Sequence, residues 1–451
     1  MPNATFTWPR RPEVPFLWSD RLRLTHGAIA RQARALAEKV PNARRVAIRT
    51  APGILAVAPL IACWTRGVTA VLVDPRERDE ECQRIATEVG ATLWRPGPPL
   101  GIAGEGGEPV ELPLDREAVA IRTSGSSGEP KFAVHRLSSL LANARAANAR
   151  IPFEEGDCWL LSLSPHHVGG LGILLRAMVA SSCVHVGGSP GTVVDDLSEH
   201  RWITHVSIVA TQLRRLLDTP GIDRRMMALR SVLLGGGPTP LAWRREAIER
   251  GWPLAVTYGL SECASQVTTS LAISDGDATD AGMPLDGVEV RVDALGEIHV
   301  GGPTLFAGYA THDGVRDGPR DVTGRPEFAT GDLGRFDERG RLHVLGRRDA
   351  MFISGGENIQ PEEIENALRT VPGAQSVCVV AIDDPVWVKR PIAFMSGAFD
   401  PSQVERALEP LPRFKWPDRI LRMPAEEAER SKPRRAALLA RLDAETVWTK
   451  R

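Results

Sequence analysis

Net charge is what this chain most conspicuously lacks: 55 Lys and Arg stand against 56 Asp and Glu in 451 residues, a formal charge of −1. Without a bulk field for nucleic acid or anionic lipid, any phosphate it binds is held by local, specific groups. Cysteine is sparse and scattered. Cys63, Cys82, Cys158, Cys183, Cys263 and Cys378 form no C-x-x-C pair and no His stands at zinc-finger spacing, so neither a structural metal nor a disulfide framework is indicated. No apolar run is long: the stretch Ile54 to Trp64 is about half of the ~20 residues a membrane span needs. The N-terminus "MPNATFTWPRRPEV" has no apolar core after its basic residues, which together with the missing span points to the cytosol. Internal repeats and low-complexity segments are absent too. What is present, 43% hydrophobic and 25% charged residues with 42 Gly and 35 Pro, is the composition of a globular chain of two or three domains.

From about residue 116 onward, short apolar runs feed small or polar turns and then helical patterns, the rhythm of a parallel sheet covered by helices. "CWLLSLSPHH" reads as a strand and polar loop, and "GGLGILLRAMVA" as the helix after it. "HVSIVATQLRRLLDT" repeats the plan, with Thr211 as the expected N-cap; "LRSVLLGGG" and "PLAVTYGLSE" again end apolar runs in glycine-containing loops. Loops at the carboxyl ends of such strands are where open α/β sheets bind ligands. Between residues 287 and 346 the pattern changes to short glycine-punctuated strands, an antiparallel β subdomain, with a boundary expected at Gly346 to Asp349. Beyond it "QPEEIENALRTVPG" signals a helix with Pro361 in its first turn and Glu362 and Glu363 at its N-terminal end. Two strands and two further helices complete a small α+β domain of about 100 residues.

Five segments carry candidate chemistry. "TSGSSGEPK", Thr123, Ser124, Gly125, Ser126, Ser127 and Gly128 through Lys131, offers backbone N–H groups, hydroxyls and a mobile cation to phosphate oxygens. It lacks the GK[ST] ending of a Walker A loop, and read alone it is equally a flexible Gly/Ser surface loop. "TYGLSECAS" supplies the ring of Tyr258 for stacking, Gly259, the hydroxyl of Ser261 for phosphate and the carboxylate of Glu262 for Mg²⁺; read alone these are also a packed Tyr and a solvated Glu. Gly235, Gly236 and Gly237 permit close approach of a flat base, or form a simple turn. Asp332 in "ATGDLGRF" and Arg347 in "GRRDAMFISGGENIQPEEIE" suit the two hydroxyls of a ribose, or the surface. Lys432 lies beside Arg430, Arg434 and Arg435 in what by default is a solvated basic tail.

The joint order and spacing of all five segments resemble the adenylate-forming superfamily of acyl-CoA synthetases, luciferases and peptide-synthetase adenylation domains, from about residue 116 to the C-terminus. The resemblance implies an α/β fold with a large N-terminal domain, residues 1–347, and a small mobile α+β C-terminal domain, residues 348–451. It implies ATP, Mg²⁺ and CoA as reactants and cofactor. By it Thr123 to Lys131 is the phosphate loop, Gly235 to Gly237 with Tyr258 the adenine site, Ser261 and Glu262 the phosphate and Mg²⁺ contacts, and Asp332 and Arg347 the ribose ligands. Asp349 is then the hinge, Gly355 and Gly356 border the CoA channel, and Lys432 stabilises the adenylation transition state. Ser127 departs from the Thr of many relatives, and Ser431 stands before Lys432 where a Gly is usual. "WLLSLSPHHVGGLGILLRAM", "VATQLRRLL", "SGGENIQPEEIE" and "KRPIAFM" look like the o-succinylbenzoate-CoA ligase branch, whose loop histidine is matched by His167.

The chemistry implied is activation of a carboxylate on the α-phosphate of ATP, then capture of the acyl-adenylate by a thiol. Lys432, Lys131 and Glu262 with its Mg²⁺ supply positive potential where phosphate charge builds. His167 is expected to wall the carboxylate pocket; it is also readable as a packed or loop-surface histidine, as is His166. A distal carboxylate needs a second binding group, for which Thr211, Gln212, Arg214 and Arg215 lie in a suitable segment, although the arginines suit solvent equally. The alternatives within the fold are another aryl or acyl acid, or a carrier-protein thiol in place of CoA. Outside it stands a catalytically silent nucleotide-binding module. Relatives are often homodimers.

Overall fold

The computed structural model describes residues 4–20, 22–49, 54–96, 107–123, 131–187, 193–271, 279–318, 320–430 and 433–450. It divides into two compact units. The first comprises Met1–Gly237, Ala247–Arg291 and His299–Ala329; the second comprises Pro238–Glu246, Val292–Ile298 and Thr330–Arg451.

The first unit holds two large sheets. In the seven-stranded sheet the order is Gly314–Asp317, Gly308–Thr311, Lys131–Arg136, Glu117–Thr123, Thr69–Val73, Arg45–Arg49 and Thr92–Trp94, the last four parallel. Its central strands read as unbroken apolar runs because both faces are covered. In Thr69–Val73, Ala70 and Leu72 enter one core while Val71 and Val73 enter another, built on the helix Asp79–Glu88. Val46 and Ile48 are separated from Ala47 in the same way, as the period of two along a strand requires.

The nine-stranded sheet has the order Met283–Pro284, Ser265–Leu271, Leu254–Leu260, Ser231–Leu234, His205–Ile208, Cys158–Leu160, Cys183–His185, Pro15–Ser19 and Leu22–Thr25. It is parallel from Leu254–Leu260 to Pro15–Ser19 and antiparallel at both edges. The helices Leu137–Arg150 and Val168–Ala180 share one core cluster with residues of both sheets, Trp159 and Leu233 from this one and Val119 and Ile121 from the other. Burial of Trp159, Leu171, Leu174 and Leu140 at 2% exposure or less contributes about 1.5–3 kcal/mol for each aliphatic side chain. Parallel strands wrapped by helices bear out the α/β rhythm. The N-cap expectation does not hold: the helix Ala210–Asp218 begins one residue before Thr211, which is exposed. Its cap residue is Val209, whose backbone N–H donates to Gln212 Oε1 at 3.0 Å, so the amide three residues on takes the role given to the threonine.

In the second unit the strand Leu342–Arg347 pairs antiparallel with Glu327–Phe336. Gln360 Nε2 donates to the Arg347 carbonyl at 2.9 Å, tying that hairpin to the start of the helix Pro361–Leu368. Residues 330–347, assigned from sequence to the large domain, therefore cluster with the C-terminal residues. A four-stranded sheet follows, in the order Ala374–Asp384, Val388–Gly397, Arg419–Arg422, Thr446–Thr449. Val377, Val379, Ala393 and Met395 face one core, Cys378, Val380, Ile392 and Phe394 the other. This is the α+β unit expected. Pro361 does open its helix, with Glu362 and Glu363 in the first turn. The basic tail is not simply solvated: Arg434 pairs with buried Glu427 at 2.6 Å, and Arg435 with Glu362 and Glu365 at 3.1 and 2.8 Å.

Candidate active site

In the first unit, Thr123 ends the strand Glu117–Thr123 opposite Lys131, which begins the antiparallel neighbour Lys131–Arg136. The expected phosphate loop thus joins two adjacent strands of one sheet. Its residues Ser124, Gly125, Ser126, Ser127 and Gly128 lie outside the described residues. Thr123 is 8% exposed, and its Oγ1 is buried without a partner among the described residues.

Lys131 reaches towards Glu262 through an aromatic ring. Its Nζ lies 5.3 Å from the centroid of Tyr309, and the Tyr309 hydroxyl donates to Glu262 Oε1 at 2.8 Å. Tyr309 is held there because Gly308–Thr311 pairs with Lys131–Arg136, Tyr309 opposite Ala133. Glu262 sits on a single 3₁₀ turn, Ser261–Cys263, between the antiparallel strands Leu254–Leu260 and Ser265–Leu271. Two contacts fix that turn: Phe306 N–H donates to the Glu262 carbonyl at 2.9 Å, and His135 Nε2–H donates to the Ser261 carbonyl at 2.7 Å. His135 is wholly buried, and burial pushes its pKa down to about 4, so the ring is neutral at pH 7. Sequence reading passed over both Tyr309 and His135. Each acts from a strand distant in the chain, and nothing local distinguishes them from core residues.

Gly235 to Gly237 follow the strand Ser231–Leu234, which runs parallel to Leu254–Leu260 with Leu234 beside Val256. A Cβ on Gly235 would meet Thr257 Cγ2 at 2.7 Å, so only glycine lets this turn lie against the strand that carries half-buried Tyr258. On Gly259 a Cβ would lie 1.8 Å from the Ser265 carbonyl oxygen, which makes glycine obligatory beside the Glu262 turn.

His167 is the exposed N-cap of the helix Val168–Ala180. Its neighbour His166 is buried, 4.1 Å from it between ring centroids, and hydrogen-bonded through Nδ1 to Ser164 Oγ at 2.6 Å. Burial first, and then the charge of His167, lower the pKa of His166 to about 4. Of the residues considered for a distal carboxylate, Gln212 also donates to the Ser162 carbonyl at 3.3 Å, and Arg214 pairs with Asp218 one turn along its own helix.

A different cation stands out. Arg176, on the inner face of Val168–Ala180, is 2% exposed. One guanidinium nitrogen donates to Gln266 Oε1 and the group lies 4.9 Å from the Trp159 ring centroid, but Nε and the other nitrogen are buried without partners among the described residues. Burial pulls its pKa down to about 10 and still leaves it charged at pH 7. Gly172 and Ser265 Oγ lie beside it: a Cβ on Gly172 would meet both the Arg176 NH2 and the Ser265 Oγ at 3.8 Å. A buried cation that faces no carboxylate among the described residues is complementary to an anion brought by a ligand. It escaped sequence reading, although it is the one charge in a helix otherwise built of apolar and small residues.

In the second unit, Asp332 and Arg347 face each other across the hairpin, Oδ1 to NH1 3.1 Å. Arg347 also donates to the Thr330 carbonyl at 2.9 Å and to Asp349 Oδ1 at 3.2 Å. Burial works against its charge, yet Asp349 and Asp332 hold the guanidinium pKa above its ordinary value. Gly331 has φ +72, and a Cβ there would lie 2.8 Å from Arg347 NH2. Gly355 and Gly356 form the turn between Phe352–Ser354 and Glu357–Ile359, both with positive φ. Gly355 lies under the Trp387 ring, with a Cβ position only 2.3 Å from Cε3. Lys432 lies outside the described residues.

This arrangement has known counterparts. Residues 98–310 match the AMP-binding enzyme family. The curated relatives include 2-succinylbenzoate-CoA ligases. That of Bacillus mycoides (strain KBAB4) is 35% identical over 313 residues, 65% of this chain and 63% of the relative. That of Salmonella typhimurium (strain LT2) is 38% identical over 312 residues, 67% of this chain and 64% of the relative. The matches thus span a little under two thirds of these relatives' length. The fold is that of the adenylate-forming enzymes: o-succinylbenzoate CoA synthetase (MenE) from Bacillus subtilis, solved with the acyl-adenylate intermediate OSB-AMP, superposes with a TM-score of 0.78 at 26% identity over 97% of both chains.

Proposed function

We propose that this chain is an AMP-forming acid-CoA ligase that activates 2-succinylbenzoate, a step of menaquinone biosynthesis. In the first half-reaction a carboxylate oxygen of the acid bonds to the α-phosphorus of ATP while the bond to pyrophosphate breaks. In the second, the CoA thiol loses its proton and attacks the adenylate carbonyl, and AMP leaves. The observation that carries the diacid reading is Arg176, a buried cation with two nitrogens unpaired among the described residues. A carboxylate not undergoing reaction would pair with it, as a mono-acid would not.

The other roles follow from the groups available. Tyr258 and the Gly235 to Gly237 turn receive the adenine, and Asp332 and Arg347 the ribose hydroxyls. Lys131, Thr123, Ser261 and Lys432 bind phosphate oxygens, and preorganised donors of this kind act most strongly where charge develops. Glu262 suits magnesium, being a hard oxygen donor oriented by the Tyr309 hydroxyl. Bound there, Mg²⁺ supplies charge neutralisation to the phosphates. His167 borders the reacting carboxylate. Residues 348–451 serve as the mobile part, with Asp349 as pivot, Lys432 acting in adenylation and the Gly355-Gly356 turn in thioester formation. A homodimer in the cytosol completes the proposal; no helix among the described residues is long and apolar enough to cross a membrane.

The test is acid-dependent exchange of pyrophosphate into ATP with 2-succinylbenzoate beside benzoate, 2-aminobenzoate, 4-hydroxybenzoate and medium-chain fatty acids, followed by thioester detection with CoA. Exchange selective for 2-succinylbenzoate, with its CoA thioester formed, is the expected result. Exchange only with another acid would overturn the substrate assignment, and no exchange with any acid would overturn the ligase assignment.

A further inference from the structure

Away from the nucleotide segments, three metal-ligating side chains converge in the first unit, with a fourth, Asp20, beside one of them. His185 ends the strand Cys183–His185. Asp196 lies on the helix Val193–Glu199, and His200 directly follows that helix, its N–H donating to the Asp196 carbonyl at 3.0 Å. Asp20 directly follows Pro15–Ser19, the strand that pairs with Cys183–His185. Ligand atoms of His185, Asp196 and His200 all lie within 4.8 Å of one another, and Asp20 Oδ1 is 3.2 Å from His200 Nε2. The two imidazole rings are 4.3 Å apart between centroids.

A hydrogen-bonded polar cluster would satisfy each of its groups, and here His185 is left unsatisfied among the described residues. His185 is 1% exposed, yet its Nδ1 is buried without a partner among the described residues, and its Nε2 stands 4.0 Å from Asp196 Oδ1, beyond hydrogen-bond distance. Asp196 reaches the cluster only because residue 187 is glycine, where a Cβ would lie 2.0 Å from Asp196 Oδ2.

We propose that His185, Asp196, His200 and Asp20 form a binding site for a divalent cation of the zinc class. Two imidazole nitrogens with carboxylate oxygens suit Zn²⁺, not Mg²⁺, which prefers all-oxygen sites. Ligands of a tetrahedral zinc at about 2.0–2.1 Å lie about 3.3 Å from one another, so shifts of the order of an ångström close the cluster around the ion. Three strands separate Cys183–His185 from Leu254–Leu260, about 19 Å at sheet spacing. The ion therefore cross-links three chain segments and takes no part in the proposed transfer chemistry. The linear spacing of these ligands matches no zinc-finger pattern, which is why sequence reading finds no structural metal.

The test uses the full-length chain, stripped with chelator and then dialysed against Zn²⁺ in excess Mg²⁺. One tightly held zinc per chain, with a raised thermal midpoint, is expected. Co²⁺ in its place should give the visible absorption of a tetrahedral site and quench Trp202, whose ring lies 4.6 Å from that of His200. His200→Ala should weaken zinc binding more than about 100-fold, beyond the loss expected for an outer-shell partner. Asp20→Asn, at an exposed side chain that leaves the fold intact, should weaken it about tenfold. Substoichiometric zinc in the unsubstituted chain, or zinc affinity unchanged in both variants, would overturn the proposal.

Discussion

Two arginines make an instructive contrast. Arg347, in the second unit, has every direction filled: Asp332, Asp349 and the Thr330 carbonyl all accept from it. Arg176, in the first, is more deeply buried and hydrogen-bonds a single side chain among the described residues, the neutral amide of Gln266. Arg347 is preorganised, held in place before any ligand arrives. Arg176 carries an uncompensated charge, a state that costs stability until an anion arrives. A paired charge of this kind fits a group that orients a neutral partner such as a ribose hydroxyl, and an unpaired one fits a group that recognises a charged partner. Under the proposed function, this contrast assigns selectivity for the acid to Arg176 in the first unit.

The largest effect should come from the unpaired cation. Arg176→Met should lower kcat/KM for 2-succinylbenzoate by about 100-fold or more, the range of 2–5 kcal/mol for truncating one member of a buried charge pair. The same variant should leave thermal stability of the ligand-free chain unchanged or raised, because replacing a buried charge by an apolar side chain is neutral or stabilising. Loss of activity together with a large loss of stability would reduce Arg176 to a structural residue.

Asp332→Ala breaks the paired side of the comparison. It should raise KM for ATP about 10- to 100-fold, as expected for hydrogen bonds to a charged group, while KM for the acid hardly changes. Steady-state titration of each substrate in turn separates the two effects. Tyr309→Phe, which deletes the donor 2.8 Å from Glu262, should cost about tenfold in the adenylation rate and increase the Mg²⁺ concentration needed for half-maximal exchange.

An effect on stability instead of rate concerns His135, which supports the Ser261 turn from within the core. Its pKa falls from 6.5 to about 4 on burial, so the unfolded chain binds the proton first as pH falls. Stability is therefore fully present above pH 6.5 and is lost progressively towards pH 4, at a slope of about 1.4 kcal/mol per pH unit for such a group. Urea unfolding at pH 7 and pH 5 should show the loss, and His135→Gln should flatten it by about that slope.

Much of this was legible in the chain because it is local. A strand ending in glycines, a proline opening a helix and a buried run of alternating sheet faces are short-range patterns, and Gly235, Gly259 and Pro361 stand where those patterns put them. The pairing of Asp332 with Arg347 follows from one hairpin. What sequence reading missed is tertiary. Arg176 is defined by Trp159 and Gln266, from a strand before its helix and a strand 90 residues after it. Sequence does not distinguish an arginine that reaches solvent past an apolar helix from one sealed inside. The Thr211 cap failed for a related reason: Gln212 satisfies the helix start, and a threonine on the outer face is left with solvent.

The most direct test pairs a substitution in the protein with a deletion in the substrate. Pyrophosphate exchange is measured for the unsubstituted chain and Arg176→Met with 2-succinylbenzoate and with each of its two mono-acid forms lacking one carboxylate. The account predicts that the substitution costs about 100-fold on the diacid but only a few-fold on one mono-acid, the one whose missing carboxylate was the partner of Arg176. Equal losses on the diacid and on that mono-acid would contradict it.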